Sequence, residues 1–183
     1  MYIQVKLQID IQTGGSCMLG KLFGKKTMPT EEVIYSPVNG RVVNIEEVQD
    51  PTFSQKMMGD GIAVKPTDGK VVSPVNGEVM QVFPTKHAVG IKGESGIEIL
   101  IHIGLETVGM NGEGFESHVK AGAKVKVGQP LITFDLERVN QKAVDDVIPV
   151  VITNMDHVET LDKQYSESAN AGATAILTVK TKH

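Results

Sequence analysis

Ser36-Pro37-Val38-Asn39-Gly40-Arg41-Val42 returns further along the chain as Ser73-Pro74-Val75-Asn76-Gly77-Glu78-Val79. Asn-Gly is a strong turn signal, because both residues tolerate positive φ. Each copy runs into a short apolar stretch, Val42-Val43-Asn44-Ile45 and Val79-Met80-Gln81-Val82. Each therefore reads as a turn entering a strand. A solenoid needs at least three repeats, so two similar units predict one pseudo-symmetric sheet structure instead.

Outward from the repeat, apolar runs at 61–65, 88–92, 97–103, 124–127, 130–134, 148–153 and 175–180 predict further strands. Turn residues separate them, as in Thr67-Asp68-Gly69, Gly93-Glu94-Ser95-Gly96 and Gly128-Gln129-Pro130. Helical periodicity is best at 136–144, with a weaker candidate at 158–165. The expected fold is all-β: an antiparallel β-sandwich or distorted barrel with an internal pseudo-repeat and few short helices.

The body begins near Thr30, which sets an N-terminal tail over 1–29 and one domain over 30–183. Residues 5–11 alternate apolar and polar, then end in Gly14-Gly15-Ser16. One reading takes 1–17 as an upstream or expression-derived extension, with Met18 as the natural start. Residues 18–26 carry Leu19, Leu22 and Phe23 among Lys21, Lys25 and Lys26. They read either as a short basic amphipathic helix that touches a membrane surface or as a plain flexible tail.

Bulk properties narrow the function classes. The chain has 183 residues, 40% hydrophobic and 22% charged, which suits one globular domain. It has no tryptophan and only 4% aromatic residues, which argues against a base-stacking surface. A formal net charge of −4 argues against nucleic acid as a partner. The single cysteine, Cys17, excludes an intrachain disulfide and fits a reducing compartment. No apolar run is long enough for a bilayer and no secretory signal opens the chain, so a cytoplasmic location is expected.

Five histidines are candidates for chemistry: His87, His102, His118, His157 and His183. His102 lies in Gly96-Ile97-Glu98-Ile99-Leu100-Ile101-His102-Ile103-Gly104-Leu105, a nearly continuous β-branched run that reads as a buried central strand. Its ring nitrogens need partners there, as those of any core histidine would. The functional reading is that the strand end opens on a cleft and Gly104 leaves the ring accessible. Rigid placement on a strand suits a nucleophile. His87 follows Thr85 by two residues, so an extended segment would put both on one side and let the hydroxyl orient the ring. The plain alternative is a loop histidine before a strand.

Six motifs then occur in order. They are Gly59-Asp60-Gly61-Ile62-Ala63-Val64-Lys65-Pro66, Thr85-Lys86-His87-Ala88 and Ile101-His102-Ile103-Gly104-Leu105-Glu106-Thr107-Val108. Asn111-Gly112-Glu113-Gly114-Phe115, Val125-Lys126-Val127-Gly128-Gln129-Pro130-Leu131 and Val150-Val151-Ile152-Thr153-Asn154-Met155 follow. Together they resemble the glucose-type IIA component of the bacterial phosphoenolpyruvate-dependent sugar phosphotransferase system, over about residues 33–182. The resemblance implies an antiparallel β-sandwich-like domain with a shallow active-site depression. It implies that His102 is the phosphorylated histidine, that His87 assists transfer and that Thr85 orients His87. It places Asp50, Glu106 and Asp156 at acidic positions around the site, with the difference that the family often has aspartate where this chain has Glu106. Phe53, Met57, Met58, Phe83, Leu100 and Val108 would form an apolar rim that docks partners.

The implied donor is the histidine-containing carrier protein HPr. The implied acceptor is the membrane-associated IIB domain of a sugar transporter. Metabolic enzymes or transporters that read the phosphorylation state are further implied partners. The chain has no P-loop pattern, so no bound ATP and no required cofactor are expected. Zinc at a partner interface, with His87 and His102 as two ligands, is an added possibility in this scheme. Two other classes compete. One is a non-catalytic binding module governed by phosphorylation. The other is a zinc peptidase-like protein, against which stands the lack of any His-x-His or His-Glu-x-x-His pattern.

Overall fold

In a computed structural model, residues 28–182 can be described; the tail readings for residues 1–27 lie outside them. Thirteen strands follow one another among the described residues. The first seven are β1 (Glu31–Tyr35), β2 (Gly40–Asn44), β3 (Asp60–Pro66), β4 (Lys70–Val72), β5 (Gly77–Val82), β6 (Ala88–Gly93) and β7 (Glu98–His102). The rest are β8 (Phe115–Ser117), β9 (Lys124–Val125), β10 (Pro130–Phe134), β11 (Ile148–Ile152), β12 (Val158–Lys163) and β13 (Ala175–Thr181). Two short helices, α1 (Pro51–Ser54) and α2 (Leu136–Lys142), complete the set with three 3-10 turns.

The strands form one seven-stranded sheet, ordered β2-β3-β11-β7-β6-β5-β9, and two three-stranded sheets, β1-β13-β12 and β4-β10-β8. Every pairing is antiparallel. Side chains from all three sheets meet in one core, among them Ile34, Ile62, Ile101, Leu131, Val150 and Leu177. The sheets stay open, so the architecture is a sandwich and not a closed barrel.

The repeat is structural, and its glycines serve a purpose that differs from the expected one. Neither Gly40 nor Gly77 adopts positive φ. Instead a Cβ at Gly40 would lie 2.0 Å from the Lys65 carbonyl oxygen, and one at Gly77 2.1 Å from that of Lys92. Each glycine lets its strand press against the next backbone. The copies match in detail. Ser36 and Ser73 are fully buried, and their hydroxyls donate to the carbonyls of Val38 and Val75 at 2.7 Å each. Asn39 and Asn76 accept from the backbone N–H groups of Ala171 and Val127.

β7 shows why the His102 run is so continuously apolar. Alternate residues of a strand face opposite sides. Ile99 and Ile101 enter the main core, whereas Leu100 joins a smaller cluster on the other face with Ile45, Phe53, Ala63, Ala88 and Val151. That second face is covered by the 3-10 turn Ile45–Glu47 and by α1, which Asp50 caps and Pro51 opens. Burying Phe53 there contributes about 2 kcal/mol.

Most expected strands are present, and so is the helix expected over 136–144, as α2 with Asp135 at its N-cap. The segment 158–165 is corrected: it forms β12, not a helix. Its Val158 and Leu161 are drawn to β13, whose backbone pairs with residues 158–163 and outweighs a weak local periodicity. β9 stops at Val125, before Gly128 turns the chain with φ +80°. β1 was hidden from sequence patterning by its two glutamates. Glu32 accepts hydrogen bonds from the backbone of Glu94 and Ser95 and so closes the turn between β6 and β7. Among the described residues, no helix is long and apolar enough to cross a membrane.

Candidate functional site

His102 ends β7, and Ala88, its cross-strand partner, opens β6 directly after His87. Backbone pairing thus sets the two imidazoles side by side, with ring centroids 4.9 Å apart and planes at 75°. Phe53 lies against His102 at 5.2 Å, and Phe83 meets His87 edge-on at 5.6 Å. The four rings form a row on the α1-covered face of the large sheet. His87 is buried and His102 half-buried.

The His102 Nδ1–H donates to the Gly104 carbonyl at 2.8 Å. A carbonyl can only accept, so the proton sits on Nδ1 and the lone pair on Nε2 is left for chemistry. Gly104 reaches this position with φ +69°, where a Cβ would lie 2.7 Å from the Thr107 methyl. Only glycine fits there.

Thr85 Oγ1 lies 2.5 Å from His87 Nδ1. The expected contact is present, but its geometry is not the extended one. Residues 83–86 form a tight turn, closed by the Lys86 N–H donating to the Phe83 carbonyl at 2.7 Å, with Lys86 at φ +57°. Pro84 at the second position favours that turn.

Burial pushes the His87 imidazole down to about 4, with the neighbouring His102 adding to the shift. Burial also lowers His102, against the opposing pull of the Gly104 hydrogen bond and the Asp50 carboxylate. Both rings are therefore neutral at neutral pH, and in His102, whose proton is held on Nδ1, this leaves Nε2 with its lone pair.

The acidic residues divide. Asp50 caps α1 through the Thr52 N–H at 2.8 Å and is felt electrostatically by His102. Glu106 is exposed in a left-handed turn just beyond His102. Asp156 sits in the turn Met155–His157, next to Asn154, whose side chain accepts the Glu98 N–H at the opposite end of β7. The apolar candidates divide as well. Met57, Met58 and Val108 are exposed at 71%, 42% and 52%. Phe53 and Leu100 are buried as the floor, and Phe83 is intermediate.

No group of three or more His, Cys, Asp or Glu side chains able to hold a metal occurs among the described residues. His118 is bonded to Thr133 in the sheet β4-β10-β8, and His157 ends its 3-10 turn. Sequence reasoning missed the Gly104 carbonyl as the partner of His102. It also missed Lys65, Asp145 and Asp146, which lie behind that loop; the adjacent carboxylates at 145 and 146 were the available signal.

Comparison with known proteins bears on this geometry. Residues 32–158 match the family described as phosphoenolpyruvate-dependent sugar phosphotransferase system, EIIA 1. The chain is 56% identical over 172 residues to the PTS system glucose-specific EIIA component of Halalkalibacterium halodurans, covering 90% of this chain and 99% of that one. It is 53% identical over 165 residues to the protein of the same name from Bacillus cereus, covering 90% and 100%. Among solved structures it is similar to glucose permease IIA from Mycoplasma capricolum, with a TM-score of 0.76, 35% identity and coverage of 83% and 97%.

Proposed function

The chain belongs to the EIIA 1 family of the phosphoenolpyruvate-dependent sugar phosphotransferase system, and on that premise we propose that His102 is its phosphoryl-accepting residue. Members of this family carry phosphoryl groups on a histidine between HPr and a IIB domain, and this chain is such a carrier. The observation that carries the residue assignment is an imidazole whose Nδ1–H is held by the Gly104 carbonyl, with its ring 4.9 Å from a second imidazole.

In this reading the Nε2 lone pair attacks the phosphorus of phospho-HPr. The new N–P bond forms as the donor's N–P bond breaks, and the electron pair returns to the donor imidazole. The Gly104 carbonyl keeps the Nδ1 proton throughout. Thr85 donates its hydroxyl proton to His87 Nδ1, which leaves the His87 Nε2–H to donate to the phosphoryl oxygens. Asp50 and Glu106 would meet cationic side chains of the donor. Asp156, at the far end of β7, would serve the outer margin of the docked partner.

The exposed Met57, Met58 and Val108 offer an adaptable apolar patch for HPr and then for IIB, over a floor of Phe53, Phe83 and Leu100. Enzymes or transporters that read the phosphorylation state would use the same face. The names of the relatives point to glucose as the sugar served. This work would be done at the cytoplasmic side of the transporter. The transfer itself requires no cofactor. Zinc would take the two Nε2 atoms as ligands only if Thr85 turned to accept from His87 Nδ1–H, which frees His87 Nε2, and if carboxylates from a partner completed its shell. A calorimetric titration without heat, alone and with partner, would end the zinc proposal.

Intact-mass spectrometry at neutral pH tests the acceptor assignment. The chain is incubated with phosphoenolpyruvate, enzyme I and HPr beside a His102→Ala variant. One acid-labile phosphoryl group on wild type and none on His102→Ala is the expected result. A phosphorylated His102→Ala variant refutes the assignment.

A further inference from the structure

Lys65 leaves β3 on the face that also carries Ala63, the face of the paired imidazoles. Its Nζ lies 2.8 Å from Asp145 Oδ1 and also forms an ion pair with Asp146. Asp146 is almost wholly buried, and two adjacent carboxylates there need a cation. Asp145 Oδ1 accepts the Val147 N–H at 2.9 Å as well, so the segment 145–147 is pinned to β3 by its side chains.

The backbone of that segment grips the loop after His102. The Asp145 carbonyl accepts the Leu105 N–H at 2.7 Å. The Gly104 N–H donates to the Val147 carbonyl at 3.1 Å, and the Val144 N–H to the Leu105 carbonyl at 3.1 Å. One peptide group is decisive. The Gly104 C=O and the Leu105 N–H are its two ends, fixed in a plane. One end accepts the proton of His102 Nδ1 and the other donates to Asp145. Rotating that peptide would break both bonds at once, and bonds linked through one peptide polarise each other.

We propose that Lys65 and Asp145 are positioning residues for the phosphoryl acceptor, holding the Nδ1–H tautomer of His102 through the Gly104–Leu105 peptide. The proposal rests on the reading of His102 as the acceptor. Lys65 ties the 145–147 segment to the sheet, the segment ties the peptide, and the peptide keeps the proton off Nε2. A charged doublet near the core is a costly way to close a loop. It suits a loop whose orientation must hold within a few tenths of an ångström for in-line attack.

Nitrogen-15 shifts of the His102 ring, recorded without any donor on wild type, Lys65→Met and Lys65→Arg, read the tautomer directly. The rate of acceptance from phospho-HPr and its apparent KM are measured beside them. In Lys65→Met the Nδ1 and Nε2 shifts should converge as tautomers mix. Acceptance should slow about tenfold at unchanged KM, and Lys65→Arg should restore both. Ring shifts in Lys65→Met identical to wild type overturn the proposal, whatever the rate. If Lys65→Met does not fold, Asp145→Asn keeps the side-chain shape but weakens the grip of Lys65, and it is scored by the same shifts and rates. Wild type that takes no phosphoryl group would refute the acceptor reading separately, because the ring shifts still score the tautomer hold.

Discussion

His87 and His102 stand 4.9 Å apart on neighbouring strands, yet they are held by different kinds of partner. His102 donates to a backbone carbonyl, whereas His87 meets a threonine hydroxyl. A carbonyl accepts and nothing else; a hydroxyl can donate or accept. The first ring is therefore locked in one tautomer, and the second can change its proton arrangement by a rotation of Thr85 Oγ1. The lock is also the stiffer, since it is main chain bonded at both ends, whereas Thr85 sits in a short turn outside the strands. If His102 is the acceptor as proposed, a fixed nucleophile beside an adjustable hydrogen-bond donor suits a carrier that must first receive a group and then release it.

The largest effect should come from removing the adjustable partner. His87→Gln should still be phosphorylated at His102 but pass the group to IIB about 10²–10³-fold more slowly, read by single-turnover transfer. Normal onward transfer would erase the distinction between the two rings. Next is the lock itself. Gly104→Ala forces a Cβ onto the Thr107 methyl at positive φ, so chemical denaturation should show a loss of about 2 kcal/mol. Unchanged stability would mean that the peptide moves freely.

Thr85→Val removes the hydroxyl at constant shape and should slow onward transfer about tenfold, with Thr85→Ser close to wild type. Equal rates in the two variants would leave Thr85 without an orienting role. The smallest effect concerns pH. Both imidazoles titrate below their ordinary value in the folded chain, so the unfolded chain binds more protons between about pH 6.5 and 4. Stability should be full above about pH 6.5 and fall with acidification through that window. The loss should be about 1 kcal/mol at pH 5.5, and His87→Gln should flatten the decline. A wild-type profile already flat over this window would contradict the lowered values.

Much of this comparison was legible in the chain. His102 at the end of an apolar run and Thr85 two residues before His87 were both readable, and the structure brings the rings together through the Ala88–His102 pair. The means of holding them were not readable. Thr85 reaches His87 through a turn with Lys86 at positive φ, where local alternation suggested an extended segment. Leu100 and Phe53 carry no mark in sequence that separates a docking rim from a buried floor. Only the covering of the second sheet face by α1 decides it.

The sequence by itself determined most of the strand menu and the duplicated Ser-Pro-Val-Asn-Gly unit, because period and turn chemistry are local properties; it singled out His102 and His87 only through their resemblance to a known family. It also held the glycines, but not their purpose. Gly40 and Gly77 yield to a neighbouring carbonyl about 2 Å from a would-be Cβ, a contact that exists only once β3 and β6 are in place. The tertiary structure alone decided which nitrogen of His102 is free and what stands behind it. That answer depends on a peptide at 104–105 meeting a segment at 145–147, in turn pinned by a lysine at 65. Contacts so distant along the chain leave no periodic trace in it, because they are set by the packing of sheet and loop and not by the preferences of neighbouring residues.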